Sequence, residues 1–346
     1  MKITLKAKNQ TYVYDAATSE KILYAGLGNA LGLPYECGTG TCGTCRAHLI
    51  EGEIDDPWPE ALGRKHLKAD DEFLMCQCSP RTECVVSVDQ SVHRTTPGSC
   101  LPSVRTGTIQ RLSWLTHDVV DIDVGLNAPM EFDAGQFVGV KAPGIPGYRG
   151  YSMVNFERSA EQLRFVIKKK PEGALSEWLF SREVVGTDVE IAGPVGHATF
   201  RPDIGRNLLF IAGGSGIAGM MSILSRCVQE GYFHDHKGYV FFGVRTWADA
   251  FYLDELNAFK KSAPEDLHIA VAFSDEEVPD TAREAYPLLE FEHGFVHEVA
   301  AYKMDGSFKN IRAYLAGPPP AVDAAKKMLI LQAKLSPNDI RYDKFS

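Results

Sequence analysis

Three cysteines in one glycine-rich segment constrain this chain more than any other feature. The segment PYECGTGTCGTC places Cys37, Cys42 and Cys45 in the spacing Cys-x4-Cys-x2-Cys, with glycines between them. Glycine tolerates a positive φ, and its lack of a Cβ lets backbone N–H groups approach a bound anion closely. The spacing therefore predicts a short loop that wraps a small inorganic centre and points three sulfurs at it.

This pattern resembles the plant-type ferredoxins, in which four thiolates hold a [2Fe–2S] cluster. The segment FLMCQCSP offers Cys76 and Cys78 as the fourth ligand. The resemblance favours Cys76, because the last ferredoxin ligand stands four residues before a proline, here Pro80. The predicted metal ligands are therefore Cys37, Cys42, Cys45 and Cys76.

Two other uses of the cysteines are less favoured. Structural zinc sites usually show paired Cys-x2-Cys or Cys/His ligands, and glycine is not normally so dense between them. A disulfide framework is typical of short secreted chains, whereas this chain has 8 Cys in 346 residues and no recognisable secretory signal. We therefore expect a cytoplasmic protein, without a membrane span.

The composition is that of an ordinary globular protein, with 45% apolar and 23% charged residues. The net charge of −9 argues against a direct nucleic-acid partner. It is compatible with docking onto a basic patch of another protein.

The sequence predicts a multidomain chain with three folds in succession. Residues 1–92 have short alternating strands and one helical pattern from Ile22 to Leu31, which predicts a small α+β, β-grasp-like ferredoxin domain. Residues 93–103 are rich in Ser, Thr, Pro and Gly and predict a linker. Residues 104–203 contain evenly spaced short strands and one helical segment, which predict a closed antiparallel β-barrel.

The pattern changes in residues 204–346. Apolar strands alternate there with helical segments at 217–231, 248–261 and 321–334. Such alternation predicts an α/β domain, in which a parallel sheet has helices on both faces.

Two segments of the barrel resemble the ferredoxin–NADP reductase superfamily. The sequence RGYS, from Arg149 to Ser152, matches its flavin motif, and KKKPEGALSEWL contains a Gly-x-x-Ser turn from Gly173 to Ser176. A guanidinium and a helix N-terminus both suit a pyrophosphate. The resemblance implies FAD rather than FMN, with Arg149 on the phosphates.

The same resemblance assigns residues to the flavin ring. It places Tyr151 against the isoalloxazine and Ser152 near N5, which makes these two the predicted catalytic residues. It also implies an aromatic residue near the C-terminus that approaches the flavin; a residue that seals the core is the other interpretation. The remaining predicted FAD-binding residues are Gly150, Ile167, Lys168 and, for that aromatic, Phe345.

The third domain carries a predicted nucleotide site. FIAGGSGIAGM contains Gly213, Gly214 and Gly216 in a turn from strand to helix, which would bring backbone N–H groups to a pyrophosphate. By resemblance, Arg245 would lie near the ribose, and Gly317 and Pro318 beside the nicotinamide. No second basic residue follows the strand that ends at Arg245, which favours NADH over NADPH.

The chain departs from the superfamily pattern at two positions of this site. Gly219 stands where proline is usual, and Ala316 stands where cysteine is usual. The first removes a rigid φ, and the second removes a thiol that helps to place the nicotinamide.

The order of the three domains resembles the single-chain reductase component of bacterial multicomponent oxygenases. The resemblance implies an NADH:acceptor oxidoreductase that passes electrons from NADH through FAD and a [2Fe–2S] cluster to an oxygenase or its ferredoxin, in aromatic or hydrocarbon degradation. FAD can take two electrons together and release them singly. A redox sensor with a drifted nucleotide site and a regulatory protein partner is the alternative, and an inert scaffold is a third.

Overall fold

The computed structural model describes residues 1–96 and 98–344. Pro97, Phe345 and Ser346 are not described, so the prediction for Phe345 lies outside the described residues. Within the part of the chain that is described, no helix is both long and apolar enough to span a bilayer.

The first part of the chain is a mixed sheet covered by one helix. Its elements are β1 (Lys2–Lys6), β2 (Thr11–Asp15), α1 (Ile22–Gly28), β3 (Arg46–Glu51), β4 (Ile54–Asp55), a 3₁₀ turn (Leu62–His66), β5 (Glu72–Leu74), β6 (Ser79–Pro80) and β7 (Cys84–Ser87). The main sheet has the order β2-β1-β7-β3-β5, and β4 pairs with β6. The central pair β1 and β7 is parallel, and the other pairs are antiparallel.

Helix α1 is shorter than its apolar pattern predicts. It ends at Gly28 rather than Leu31, because Ala30 has a left-handed φ of 60° that a helix cannot continue. The segment predicted as a linker is tied back to this region: Thr95 N donates to Ala30 O at 2.9 Å, and Gly32 N donates to His93 O at 2.8 Å. The domain boundaries at residues 92, 103 and 203 stay predictions.

The second part is an antiparallel sheet that curls on itself. Its elements are β8 (Ser103–Trp114), β9 (Val119–Met130), β10 (Phe137–Lys141), β11 (Arg149–Ser152), β12 (Ala160–Lys168), α2 (Ala174–Phe180) and β13 (Asp188–Val195). The order is β11-β10-β13-β8-β9-β12. Just after the edge strand β11, Val154 N donates to Arg164 O of the other edge strand, β12, at 2.8 Å, which joins the two edges of the sheet. The predicted barrel is confirmed.

The third part is a parallel sheet with the order β17-β16-β15-β14-β18-β19. Its elements are β14 (Asn207–Gly213), α3 (Ala218–Gln229), β15 (Gly238–Val244), α4 (Leu253–Ser262), β16 (Leu267–Phe273), α5 (Asp280–Ala285), β17 (Glu290–His293), α6 (Val296–Met304), β18 (Ile311–Gly317), α7 (Pro319–Leu331) and β19 (Ile340–Lys344). Further 3₁₀ turns are Pro202–Ile204, Gly214–Ile217, Tyr232–His234, Trp247–Asp249 and Pro337–Asp339.

Alternate residues of β14 enter two different cores. Leu208 and Phe210 join the core that contains α3 and α4, whereas Leu209 and Ile211 join the core of α6 and α7. The sheet is therefore covered on both faces, as predicted. The order reverses between β14 and β18, which is where doubly wound sheets bind ligands.

One predicted helix in this part begins late. The apolar pattern predicts a helix over 248–261, but α4 begins at Leu253. Tyr252 has a φ of 59°, and Trp247–Asp249 forms a separate 3₁₀ turn with its own capping box. The strands β17 and β19 and the helices α5 and α6 were not predicted from the sequence.

Candidate redox centre

The cysteine loop is built to present N–H groups to sulfur. Gly38, Gly40 and Gly43 have φ values of 62°, 84° and 76°, a conformation that favours glycine. The backbone N–H groups of Thr39 and Thr41 each donate to Cys37 Sγ at 3.4 Å. Hydrogen bonds from the backbone stabilise a thiolate, so the loop is suited to negatively charged sulfur.

The Cys76 sulfur lies beside the loop, where a fourth ligand is predicted. Cys76 Sγ lies 3.2 Å from Cys45 Sγ, and Gln77 Nε2 donates to it at 3.5 Å. Cys78 is buried in the core of the first part of the chain. Burial raises the pKa of Cys76, whereas a hydrogen bond from the Cys42 thiol lowers the pKa of Cys37. The thiols and the N–H donors around them fit an anionic [2Fe–2S] cluster.

One cavity of about 1300 Å³ joins all three parts of the chain. The cysteine loop lines it through Cys37, Thr39, Thr41 and Cys42, the barrel through β11 and residues 168–176, and the parallel sheet through its carboxyl edge. The Thr39 side chain lies against β11, since a Cβ at Gly150 would be 3.6 Å from its Cγ2. The predicted cluster loop and the predicted flavin strand therefore form adjoining walls.

Ser152 has a buried hydroxyl that has no hydrogen-bond partner among the described residues. It is 4% exposed and lines the cavity. A buried hydroxyl without a partner costs free energy, so this position calls for a polar group from a ligand. Tyr151 lines the same wall, where burial raises the pKa of its phenol. The pair fits the polar edge and the face of a flavin ring.

Arg149 lines the cavity and is free to bind a phosphate. Its Nη1 donates to the backbone oxygens of Pro146 and Tyr148, both at 3.2 Å, and its guanidinium lies 4.0 Å from the ring centroid of Trp58. Among the described residues, no carboxylate forms an ion pair with it. Burial lowers its pKa, which an anionic ligand would offset.

Three predicted residues have a different environment from the one expected. Ile167 points into the barrel core, because side chains alternate along β12 and its neighbours Val166 and Lys168 face the cavity. Gly216 is buried away from the cavity. Ser176 lines the cavity, but its hydroxyl already contacts Lys170 N and O at 3.0 Å and organises that turn instead.

The nucleotide end of the cavity lies at the reversal of strand order. Gly213, Gly214, Gly317 and Pro318 line it. Gly317 has a φ of 142°, and a Cβ there would be 3.0 Å from the carbonyl oxygen of Gly213. A Cβ at Gly216 would be 2.5 Å from the carbonyl of Ala316. These glycines allow the two strand ends to meet, as a site for a pyrophosphate requires.

Two carboxylates flank Arg245 in the cavity. Asp249 Oδ1 lies 3.5 Å from Arg245 Nη2, and its other oxygen accepts from Thr246 N at 3.1 Å. Asp118 pairs with Lys168 at 3.0 Å and lines the same wall. The region around the predicted ribose position is therefore close to neutral.

The sequence reasoning missed several residues that line this cavity. Trp58 comes from the first part of the chain, Phe295 from the loop before α6, and Asp343 from β19. Burial, with a smaller contribution from Glu36, raises the pKa of Asp343 to about 7. The tryptophan between two prolines was a visible signal in the sequence, whereas nothing in the sequence around Asp343 suggests its neighbours.

Comparison with known protein families accounts for all three parts. Residues 5–81 match the 2Fe-2S iron-sulfur cluster binding domain. Residues 107–200 match the oxidoreductase FAD-binding domain, and residues 210–327 match the oxidoreductase NAD-binding domain. The predicted cofactors, a [2Fe–2S] cluster, FAD and a nicotinamide nucleotide, are confirmed at this level.

Several known reductases match nearly the whole chain. A ferredoxin–NAD(P)+ reductase, CarAd, from Metapseudomonas resinovorans is 31% identical over 95% of both chains. The reductase component DmpP of phenol 2-monooxygenase from Pseudomonas sp. (strain CF600) is 28% identical over 96% of this chain and 91% of the relative. The solved ferredoxin reductase in carbazole 1,9a-dioxygenase covers 100% of this chain and 99% of its own, with 30% identity and a TM-score of 0.83. This chain therefore belongs to the family of iron–sulfur flavoprotein reductases that serve as electron-transfer components of multicomponent oxygenases.

Proposed function

We propose that this reductase takes electrons from NADH at the parallel-sheet end of the cavity and delivers them singly, from its cysteine loop, to the oxygenase or ferredoxin component of an oxygenase system. The observation that carries the proposal is the shared cavity. The cysteine loop, β11 and the glycine turns of β14 and β18 line one continuous space. Electron transfer between cofactors bound there would need no movement of the three parts.

The residues of the chain have distinct tasks in this proposal. Bound FAD supplies the exchange between a hydride and single electrons. Arg149 holds a phosphate through its free N–H groups, and Tyr151 covers the ring. Ser152 offers its unpartnered hydroxyl to the polar edge of the ring. Asp343, with a pKa of about 7, can hold or release a proton at its carboxyl at neutral pH.

The electrostatics around Arg245 support NADH as the donor. A 2′-phosphate would bring about two negative charges to a region where Arg245 and Lys168 are already paired with Asp249 and Asp118. Arg245 is already engaged with Asp249, so it offers little additional attraction. The ribose of NADH carries no such charge and can bind the same groups by hydrogen bonds.

The redox-sensor alternative gains no support from the two unusual residues. Gly219 is in the first turn of α3, where a Cβ would lie 3.5 Å from Ser152 Oγ, an ordinary contact. Ala316 is 8% exposed at the end of β18. Neither residue closes the nucleotide end of the cavity, because Gly317 and Pro318 still line it.

Anaerobic reduction tests the proposal. We expect NADH to bleach the flavin absorbance and then to give the electron paramagnetic resonance signal of a reduced cluster, with NADPH markedly slower. A purified oxygenase component from the same source should then reoxidise the protein. Reduction by dithionite but by neither nucleotide would refute the proposed donor.

A further inference from the structure

Trp58 joins the first part of the chain to the barrel at the predicted flavin site. The guanidinium of Arg149 lies over its indole at 4.0 Å from the ring centroid. A cation over an aromatic face is attracted by the ring quadrupole, and more strongly where water is excluded. Both side chains are partly buried and line the cavity.

The backbone holds Trp58 in place. It stands between Pro57 and Pro59, which restrict the rotation of the chain on both sides. Its N–H donates to Asp56 Oδ1 at 3.3 Å, and its carbonyl accepts from Ala61 N at 3.1 Å. The main chain at Trp58 therefore has a defined position before any ligand binds.

The barrel leaves a space of matching shape. Gly147 has a φ of 70°, and a Cβ there would be 2.2 Å from Trp58 Cε3. A side chain at position 147 would push the indole away from Arg149. The loop before β11 thus accommodates the ring directly beside the guanidinium.

Arg149 has few other restraints. Its hydrogen bonds go to the backbone oxygens of Pro146 and Tyr148, in its own loop. An arginine side chain has several rotatable bonds, and fixing them on ligand binding costs conformational entropy. The stacking contact with Trp58 restricts the guanidinium while leaving N–H groups available.

We propose that Trp58 is a positioning residue for the flavin: it fixes Arg149 in the orientation that binds an FAD phosphate, so that FAD affinity depends on a residue of the ferredoxin domain. The inference rests on the proposed function, in which Arg149 contacts that phosphate. It predicts that Trp58 acts only through Arg149, and therefore only on phosphate-bearing flavins.

A double-mutant cycle in the full-length chain tests this. Cluster-loaded protein stripped of flavin would be titrated with FAD and, separately, with riboflavin, which has no phosphate. Trp58→Ala should weaken FAD binding by about three- to thirty-fold, the range expected for a cation–π contact. Trp58→Phe should restore part of the affinity, and Lys65→Ala, a change at an exposed residue of the same segment that does not line the cavity, should leave it unchanged.

The double-mutant cycle distinguishes a failure of this inference from a failure of the proposed phosphate contact of Arg149. If the inference holds, Trp58→Ala has no further effect in an Arg149→Ala background, and riboflavin affinity is the same in all variants. An equal loss in both backgrounds, or an equal loss for riboflavin, overturns it, even if the cause is a disturbed fold. If Arg149→Ala itself leaves FAD affinity unchanged, the proposed phosphate contact fails, whatever Trp58 does.

Discussion

The cluster site and the flavin site are assembled in opposite ways. Three of the four predicted cysteine ligands lie in one loop. That loop also supplies the N–H groups that contact the sulfurs of Cys37 and Cys42. The proposed flavin site would collect Arg149 and Ser152 from β11, Trp58 from the cysteine-loop part and Asp343 from β19, all of which line the shared cavity. A local site can be identified from spacing alone, whereas a dispersed site depends on how the domains pack. Each of the following experiments tests that contrast.

The largest effect should come from removing one cluster ligand. We expect Cys76→Ser to lose the [2Fe–2S] cluster, because its sulfur is the one beside Cys45. Cys78→Ser is the matched control and should keep the cluster, since Cys76, and not Cys78, is the cysteine whose sulfur contacts Cys45 among the described residues. Iron and labile sulfide analysis with visible absorbance would measure both variants. A cluster lost only in Cys78→Ser would reverse the assignment.

A smaller but clear effect should follow Arg149→Ala. A charge-assisted hydrogen bond contributes about 1.5–3 kcal/mol, so the FAD dissociation constant should rise roughly ten- to hundred-fold. Cluster content should stay unchanged. Arg201→Ala, which removes an exposed arginine paired with Asp203, should not affect FAD binding. Loss of both the cluster and FAD would indicate that the cluster site depends on the flavin site.

Ser152→Ala should retain FAD and slow its reduction. Within residues 1–96 and 98–344 the hydroxyl has no partner, so its removal costs no hydrogen bond to these residues. A neutral hydrogen bond contributes about 0.5–1.5 kcal/mol, so we expect the rate of anaerobic reduction by NADH to fall about two- to ten-fold in stopped-flow measurements. An unchanged rate would remove Ser152 from the reaction.

Asp343 should make stability depend on pH. Its folded pKa is raised from 3.8 to about 7, so the folded state binds the proton more tightly than the unfolded state. The contribution of Asp343 to the free energy of unfolding is therefore fully present below about pH 4 and is lost as pH rises toward 7. In flavin-free protein, the thermal midpoint of Asp343→Asn should depend less on pH over that window than the midpoint of the unsubstituted protein. A parallel curve for the variant would show that Asp343 titrates normally.

The smallest effect concerns the unusual glycine in α3. Gly219→Ala should raise the free energy of unfolding by about 0.4–1 kcal/mol, because alanine has less backbone freedom to lose and its Cβ would meet only ordinary contacts. Thermal denaturation would measure this. Destabilisation instead would indicate that the space beside Ser152 must stay open.

The limits of sequence reasoning follow the same contrast. The spacing of the cysteines was sufficient to predict the cysteine loop. The hydrophobic periods of the sequence were sufficient to predict the barrel and the parallel sheet. The role of Ile167 stays a prediction, and its side chain lies in the barrel core because a motif does not say which side of a strand faces the cavity. Ser176 was assigned to a phosphate because the sequence does not show that its hydroxyl is engaged by Lys170. Trp58 and Asp343 were missed because only the packing of distant segments brings them to the site.

The fit of Gly147 against Trp58 limits how this protein can be recombined. A chimaera that takes its first 90 or so residues from another reductase would replace one side of a shared core, because the barrel residues Phe137, Tyr148, Ala192 and Val195 pack with the first part of the chain. The chimaera would lose the contact between Trp58 and Gly147 unless both residues are exchanged together, because the Cβ of any other residue at 147 overlaps the indole. Positions 58 and 147 therefore have to match each other, so exchange of these two parts is expected to succeed only between chains that share both residues.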